Sequence, residues 1–570
     1  MINFKNENNI IIEINKYKKI TLFTSIIRLI LAILFIIFII MLLSLKDYLL
    51  YGIISISLFI IFILFMLLTN KHYYHLDHLK IKKEIYEKHK KRRNYDLNTF
   101  FDNGQEFLKK DDYKQSDLDL FGSNSLYQYL NSCKTKRGRI KLASLLTEGK
   151  DYDISYAKAI KELTEDENTL NIEASINQIS NYSSKLDYEE ILGVLNNKIK
   201  INFLYLLPLL SFISTIVYLL LIFIINLNPL GLIGFVIFNF ILTTLCVRND
   251  VFKIKASAYK NLIESYINVS NTFINNKYES KLLIDYQNEI NKLLPNLKSM
   301  NNILNILSSR SNVIFLIIFN SLFIFDFFIT LLFNLKIKNY ENNKNIFELL
   351  SDLEAMVSLS NIGIDNEIYS IPEEADSMIE AIDLYHPLIK NCVTNTININ
   401  EGIILTGSNM SGKTTFLRTL GIIMTLYNAS SIVPAKSFKA PKLNIYTSLR
   451  ANDMLSEGVS TFYAEILRMK KINEGIKKGP SLVLIDEIFK GTNLNERLEA
   501  SFKIIENLNK YNAYFIISTH DLELTTAKNI LNYHFNEYYE NDKIYFDYKI
   551  KEGKSETSNA MYLLKMADII

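Results

Sequence analysis

Four long runs of apolar residues constrain this chain more than any other feature. Residues 29–45, LILAILFIIFIIMLLSL, and 48–69, YLLYGIISISLFIIFILFMLLT, contain no charge, and only Lys46 and Asp47 separate them. Each is about long enough to cross a hydrocarbon core of ~30 Å as a helix. A second pair occupies 203–226 and 229–247, where Asn228 and Pro229 break the helix between two spans. Two transmembrane hairpins are therefore predicted, the first at about 26–45 and 48–69, the second at 203–226 and 229–247. The first run is too long, and too closely followed by another, to be a cleaved signal peptide.

Basic residues give the orientation. The segment 71–93, KHYYHLDHLKIKKEIYEKHKKRR, carries nine Lys or Arg against three acids directly after the second run, and Lys16, Lys18 and Lys19 precede the first. Both flanks belong in the cytoplasm, and the basic segment reads as a solvated helix at the lipid headgroups rather than a DNA site. His72, His75 and His78 share a helix face, but no carboxylate or Cys joins them at a metal-ligand spacing. The hydrophobic fraction of 49% alongside 22% charged residues fits apolar residues gathered into segments, and a net charge of +3 announces no polyanion partner by itself. Cys133, Cys246 and Cys392 are far apart, which suggests neither a disulfide framework nor a zinc site.

A fifth apolar run, VIFLIIFNSLFIFDFFITLLF at 313–333, has membrane length, yet Asn320 and Asp326 are costly in lipid. A fifth crossing would also place everything after it on the far side of the membrane. The run is therefore expected to be a buried helix or helix pair in the soluble part. Segments 94–200 and 250–310 show apolar residues at three- and four-residue spacing, the pattern of long amphipathic helices. From about 398 the short apolar strands GIILTG, SLVLID and AYFIIST alternate with helical stretches, as in a mostly parallel α/β sheet. The expected organisation is an N-terminal segment with a hairpin and basic helix at 1–94, helical core at 95–200, a second hairpin at 201–248, further helical lever and core at 249–385, and an α/β P-loop NTPase domain at 386–570.

Gly407 to Thr414, GSNMSGKT, matches G-x-x-x-x-G-K-[ST] between a strand and a helix. In such a loop, Gly407, Ser408, Asn409, Met410, Ser411 and Gly412 offer backbone N–H groups to phosphates, assisted by the dipole of the helix that carries Lys413, Thr414 and Thr415. Lys413 reaches the β- and γ-phosphates and Thr414 ligates Mg²⁺. About seventy residues on, SLVLIDE delivers Asp486 and Glu487 at the end of a buried strand, where ligands of such sheets bind. Asp486 suits Mg²⁺, Glu487 suits polarising an attacking water, and His520 ends the following strand, placed to sense the γ-phosphate or orient water.

The order TGSNMSGKTTFLRTLG, ANDMLSEGVSTFYAEILRM, LVLIDEIFKGTN and STHDLEL resembles the ATPase domain of the MutS family, mismatch-repair clamps related to ABC ATPases. Upstream, residues 117–146 resemble the start of the MutS core and lever region, and LLSDLEAMVSLSNIG with HPLI resembles the approach to its ATPase. The resemblance covers about 345–570 strongly and 117–200 more thinly, and is absent before 95. It implies ATP and Mg²⁺ as cofactors and a homodimer formed through the ATPase domain. In that dimer the signature loop GVSTF completes the partner's site: Ser460 touches the partner's γ-phosphate, Gly458 permits the approach, and Thr461 with Ser460 also suits a helix cap. Asn409 matches a family residue near the γ-phosphate.

Three departures qualify the resemblance. Val393, in NCVTNT, stands where relatives tend to carry an aromatic that stacks on adenine. The Phe-x-Glu mismatch reader has no counterpart, because the sequence before the core is taken up by the first hairpin. The second hairpin interrupts the lever region about where the family inserts its DNA clamp. Mismatched DNA is thus the partner that the family label implies and these residues do not support; the run KTKRGRIK at 134–141 reads as a solvated helix face. The expected protein is a multi-pass membrane ATPase with cytoplasmic N-terminus and ATPase domain, contacting lipid. The alternatives are an ABC-type transport ATPase, disfavoured by STF in place of LSGGQ, and a nucleotide-gated structural or DNA-tethering protein with little turnover.

Overall fold

The computed structural model describes residues 7–555 apart from 45–47, 110, 180–185, 188, 191–202, 226, 229, 248–255, 311, 337–342, 451–460, 490–492 and 541–542. The chain opens with two long helices, α1 (Glu7–Ser44) and α2 (Tyr48–Arg93). At 1.5 Å per residue they are roughly 57 and 69 Å long, about twice the thickness of a hydrocarbon core. Among the described residues, three helices are long and apolar enough to cross a membrane, Asn9–Met41, Leu50–Arg93 and Phe203–Ile222, while Gly231–Cys246 is apolar but shorter. The apolar halves of α1 and α2 leave Leu29, Ile36, Ile53 and Ile56 exposed.

Beyond those halves the two helices stay paired and change partners. Ile10 and Ile14 of α1 join Leu76, Leu79, Ile85 and Tyr86 of α2 in a cluster that also holds Leu170, Ala174 and Ile364. The Tyr17 ring packs against His75 and His72, with centroids 4.3 and 6.0 Å apart. No group of three or more His, Cys, Asp or Glu suited to a metal is found among the described residues. The basic segment 71–93 is thus the continuation of α2, and the expectation of a solvated headgroup helix fails at its last turn, where His89 and Arg92 are fully buried.

That turn enters the helical body, which comprises α3 (Tyr113–Asp117), α4 (Leu126–Leu130), α5 (Lys136–Thr147), α6 (Ile154–Glu165), α7 (Thr169–Asn177), then α8 (Leu206–Ile225), α9 (Gly231–Cys246), α10 (Ala256–Ile274), α11 (Lys281–Ser309), α12 (Val313–Phe323), α13 (Phe325–Lys336) and α14 (Asn343–Asp365). Helix α14 is its axis. Leu353, Ala355, Met356, Val357, Leu359 and Ile362 lie on every side of α14 and all are buried, the mark of a helix enclosed by others. Its last residue, Asp365, meets the end of α2. His89 Nδ1 lies 2.9 Å from Asp365 Oδ2, and His89 Nε2 lies 3.2 Å from Glu173 Oε2 of α7. Arg93 donates to Asp365 at 3.3 Å and to the Ile364 carbonyl at 2.8 Å, and Arg92 donates to Ser132 Oγ and the Asn131 carbonyl. Burial alone would lower the His89 pKa, but the two carboxylates outweigh it and raise the pKa above the usual imidazole value.

The fifth apolar run forms a helix pair, α12 and α13, broken at Ile324, whose φ is 40°. Its neighbours include the apolar helices α8 and α9 and the body itself: Ile324 and Phe327 cluster with Tyr205 and Val247, Phe328 meets Phe212 edge to face, and Ile329 joins the main core.

The C-terminal part is α/β. Strands β1 (Glu373–Glu374), β2 (Ile379–Leu384), β3 (Asn395–Ile399) and β5 (Ser437–Ala440) form a four-stranded sheet of order β1-β5-β2-β3. Strands β4 (Gly402–Thr406), β6 (Asn444–Ser448), β7 (Ser481–Asp486), β8 (Tyr514–Ser518), β9 (Ile530–Glu540) and β10 (Lys543–Glu552) form a second sheet of order β10-β9-β4-β8-β7-β6. It is parallel from β9 to β6, with β10 antiparallel at the edge. Helices α15 (Lys413–Asn428), α16 (Thr461–Ile476) and α17 (Leu494–Lys510) complete the domain. One continuous core runs from the helical body into α15, because Gly421 lets Leu118 approach: a Cβ at Gly421 would lie 2.5 Å from Leu118 Cδ2.

Asp365→Ala should cost about 3–5 kcal/mol, because it strips His89, Arg92 and Arg93 of a shared buried carboxylate. Thermal melting of the full-length protein in detergent, followed by helical circular dichroism, should show a clear drop, with the exposed Glu367→Ala unchanged. Equal melting of the two variants would remove the cluster from the fold's essential interactions.

Candidate active site

Strand β4 is buried at every position and lies between β8 and β9 at the centre of its sheet. Backbone leaves it through Gly407 at φ 144° and enters α15 through Gly412 at φ 110°, conformations that glycine adopts without strain. Between them Met410, at φ 70°, points its side chain into solvent. Ser411 Oγ donates to the Ser408 carbonyl at 2.8 Å, and Ser408 Oγ donates to Glu537 Oε2 of β9 at 2.7 Å. Lys413 arches back over the loop, its Nζ donating to the carbonyls of Gly407 and Ser408 at 2.7 and 2.8 Å.

The carboxylate strand is two positions away, with β8 between. Thr414 Oγ1 donates to Asp486 Oδ2 at 2.7 Å, and Ser518 Oγ donates to Asp486 Oδ1. Glu487 follows at φ 59°, a left-handed turn that breaks strand alternation, and its N–H donates to the Ser518 carbonyl at 2.9 Å. Its carboxylate lies 3.4 Å from His520 Nε2, which is also 2.9 Å from Asn409 Oδ1. Partial burial and the neighbouring Lys413 cation hold the His520 pKa below the usual imidazole value, so this ring is neutral at pH 7. Arg497 of α17 donates twice to Asp521 at 2.7 Å, fixing the turn after His520.

The loop and the carboxylate pair open onto a cavity of about 680 Å³, lined by Ser408, Asn409, Met410, Gly412, Lys413, Thr414, Thr415, Asp486 and Glu487. Tyr385, Ile389, Val393, Phe535 and Tyr548 line it as well. Val393 does border the cavity, but it is accompanied by two tyrosines, Tyr385 and Tyr548, that no motif singles out. Tyr548 comes from a register shift in the β9–β10 hairpin between Phe546 and Ile550. Asn395 holds that bulge, its Nδ2 donating to the Tyr548 carbonyl at 3.0 Å and its Oδ1 accepting from the Ile550 N–H at 2.8 Å. Tyr385 is held by its hydroxyl, which donates to the Ile368 carbonyl at 2.7 Å.

Gly458 and Ser460 lie outside the described residues, and Thr461 is the first residue of α16. The stems on either side of that segment are described, and one short stretch of the helical body grips both. Asp119 accepts from Arg450 at 2.6 Å and from Arg418 of α15 at 3.1 Å. Asp117 accepts from the Leu449 N–H at 3.0 Å and from Arg468 of α16 at 3.2 Å. The sequence DLDLFG had signalled only a family likeness; nothing local marked its two aspartates as a clamp.

A sequence model described as MutS domain V matches residues 403–569. The DNA mismatch repair protein MutS of Persephonella marina is 33% identical over 232 residues, 38% of this chain and 26% of the relative. That of Bacillus licheniformis is 30% identical over 250 residues, 41% of this chain and 28% of the relative, and that of Bacillus subtilis is 30% identical over the same length, with 29% of the relative covered. The chain thus spans little more than a quarter of the length of the curated relatives it matches. In this C-terminal region, whose glycine loop and carboxylate strand converge on one cavity, the chain is similar to the MutS family.

Proposed function

We propose that this chain is a membrane-anchored, dimeric ATPase of MutS type that hydrolyses ATP with Mg²⁺ and moves helices continuing into a bilayer. The observation that carries the reading is the 2.7 Å contact between Thr414 and Asp486, which joins the start of the loop helix to the carboxylate strand. The oxygens of Thr414, Asp486 and Ser518 form a hard donor set that fits Mg²⁺ and no soft metal. Mg²⁺ held there would offset charge on the β- and γ-phosphate oxygens.

The rest of the work falls to the chain's own side chains. Lys413, anchored over the loop, presents a fixed cation to the terminal phosphates, and the loop N–H groups with the α15 dipole bind the others. Glu487 orients and polarises the attacking water. Neutral His520, bridging Asn409 and Glu487, acts as a positioning residue that keeps this carboxylate aimed at the γ-phosphate. The stems clamped by Asp117 and Asp119 hold the GVSTF loop for insertion into a partner's site, so that each hydrolysis site is completed by a second copy. Tyr548 and Tyr385 offer the aromatic wall for a purine base.

The relatives are named as DNA mismatch repair proteins, and family kinship alone would assign DNA to this chain. Its basic run argues against that surface. Lys136 and Arg137 pair with Asp187 at 3.2 and 3.4 Å, Arg139 with Asp102 at 2.7 Å, and Lys141 with Asp352 at 3.0 Å. Any DNA contact is then to phosphates and without mismatch selectivity.

Lys413→Ala should abolish ATP binding, whereas Glu487→Gln should bind ATP normally and turn it over at least ~100-fold more slowly, since only the second change removes the water-orienting group. Equal losses in binding and turnover for both would sink the assignment. Because partial burial and Lys413 depress the His520 pKa, the ring should stay neutral as pH falls through the ordinary imidazole pKa, and the pH–rate profile should hold there and decline only below it.

Tyr548→Ala should weaken ATP binding about 5–10-fold, the worth of one aromatic contact, with kcat nearly unchanged. Isothermal titration separates this from a tyrosine that merely faces the cavity, for which affinity stays constant. In nanodiscs the ATPase rate should be the same without DNA, with paired duplex and with mismatched duplex; a rise specific to the mismatch would reinstate a DNA reader.

A further inference from the structure

The proposed function leaves α12 and α13 without a role, although they form the longest apolar stretch outside the two predicted hairpins. We propose that they are a re-entrant hairpin, which enters the bilayer beside α8 and α9, turns at Ile324 and leaves on the side it entered, with lipid acyl chains covering its outer face. The proposal rests on the reading of α8 and α9 as membrane helices.

Length is the first argument. The 11 residues of α12 and 12 of α13 rise about 16 and 18 Å. Each reaches the middle of a ~30 Å hydrocarbon core and neither crosses it.

The break between them is the second. A helix interrupted in hydrocarbon leaves backbone groups that no water can satisfy, so protein must satisfy them. Ser321 lies in the last turn of α12, and its carbonyl accepts from Asn239 Nδ2 of α9 at 3.3 Å. Asp326 lies in the first turn of α13, and its N–H donates to Asn320 Oδ1 at 2.9 Å. Solvent would serve both groups if the pair lay in water; here side chains do. Asn239 sits near the middle of α9 and is fully buried, with Ser211 Oγ donating to its Oδ1 at 2.5 Å and its Nδ2 donating to Thr215 Oγ1 at 3.0 Å, both from α8. Ser321 is therefore held halfway along the apolar helices, not at their ends.

Charge is the third. Asp326 is buried, yet it is paired twice by Arg310, at 2.7 and 3.0 Å, and bonded by Asn320 Nδ2 at 3.0 Å. A carboxylate neutralised and saturated in this way is tolerated at membrane depth. Arg310 follows the last residue of α11, and its long side chain reaches in from that end.

The outer face supplies the occupant. Ile317, Ile318, Leu322 and Phe323 of α12 and Phe328 and Leu331 of α13 are exposed, and they adjoin the exposed apolar face of α8 and α9 through the Phe212–Phe328 contact. A surface continuous with apolar helices of membrane character has the chemistry of a lipid contact. Entry and exit on one side also keep the ATPase on the same side as the helical body, which a fifth crossing would not.

The test uses the full-length chain in proteoliposomes, with Cys133, Cys246 and Cys392 replaced by Ala and single cysteines introduced at Ile216, Asn312, Leu322, Phe323 and Glu348. Thiols at 322 and 323 should resist a membrane-impermeant maleimide from both faces, and a bimane attached there should be quenched by doxyl-labelled lipid. Those at 312 and 348 should both react, from the ATPase face alone. Free reaction at 322 and 323 without lipid quenching would return the pair to water, and reaction of 312 and 348 from opposite faces would make it a crossing; either overturns the hairpin. Residue 216 separates the two readings. If it too is freely labelled and unquenched, the membrane reading falls and the hairpin with it, whereas a protected 216 beside a reactive 322 sinks the hairpin alone.

Discussion

The burial of a basic helix end against Asp365 and Glu173 is the interaction on which the arrangement of this chain depends. Helix α2 continues unbroken from its apolar half into the helical body and stops where His89, Arg92 and Arg93 meet the last residue of α14. These basic side chains stand three and four residues apart, so they lie on one helix face. Buried charges of this kind contribute little net stability, but a wrong arrangement is penalised heavily. A one-residue rotation of α2 would turn the cations from the carboxylates by about 100°. The cluster thereby fixes both the rotation and the depth of an apolar helix relative to the axis of the body.

The same axis leads to the cavity. Asp365 ends α14, and a short connection brings Ile368, whose carbonyl accepts from Tyr385 in the cavity wall. A second connection comes from the start of the body, where Asp117 and Asp119 grip α15, α16 and the strand end between them. Between the cavity and α2 the described residues form packed core and buried ion pairs, elements with discrete arrangements rather than soft linkers. Rearranged nucleotide contacts would act on the same body that seats the apolar helices, which is what a lever requires.

Much of the α/β part was legible because its signals are local. The glycine loop fixes its own backbone, and the apolar runs GIILT, SLVLID and YFIIS coincide with β4, β7 and β8. Lys413, Thr414, Asp486 and Glu487, singled out from motif and strand end alone, border one cavity, and His520 lies 3.4 Å from Glu487. What the sequence concealed is long-range. The turn 88–93 reads as solvated because its carboxylate partners are distant, 84 residues away for Glu173 and 276 for Asp365. Tyr548 depends on a bulge held by Asn395, 153 residues earlier, and no periodicity betrays it. The run 313–333 displays its apolar character openly, but the break at Ile324 is written in no glycine or proline. It follows from Asn320 and Asp326 bonding each other across the turn.

Charge placement bears on how this chain could meet a polyanion. Binding to a duplex draws its strength from cations free to replace condensed counterions. Here much of the two densest basic stretches is committed elsewhere: four of the five cations at 134–141 already face carboxylates, as do Arg92 and Arg93 in the turn 88–93, whereas Lys90 is exposed. To contact phosphate, each of the paired cations would first have to leave a carboxylate, returning much of the electrostatic gain. With a net charge of +3 over 570 residues, no large surplus remains to compensate. The cations that are paired in these two stretches therefore serve the chain's internal geometry.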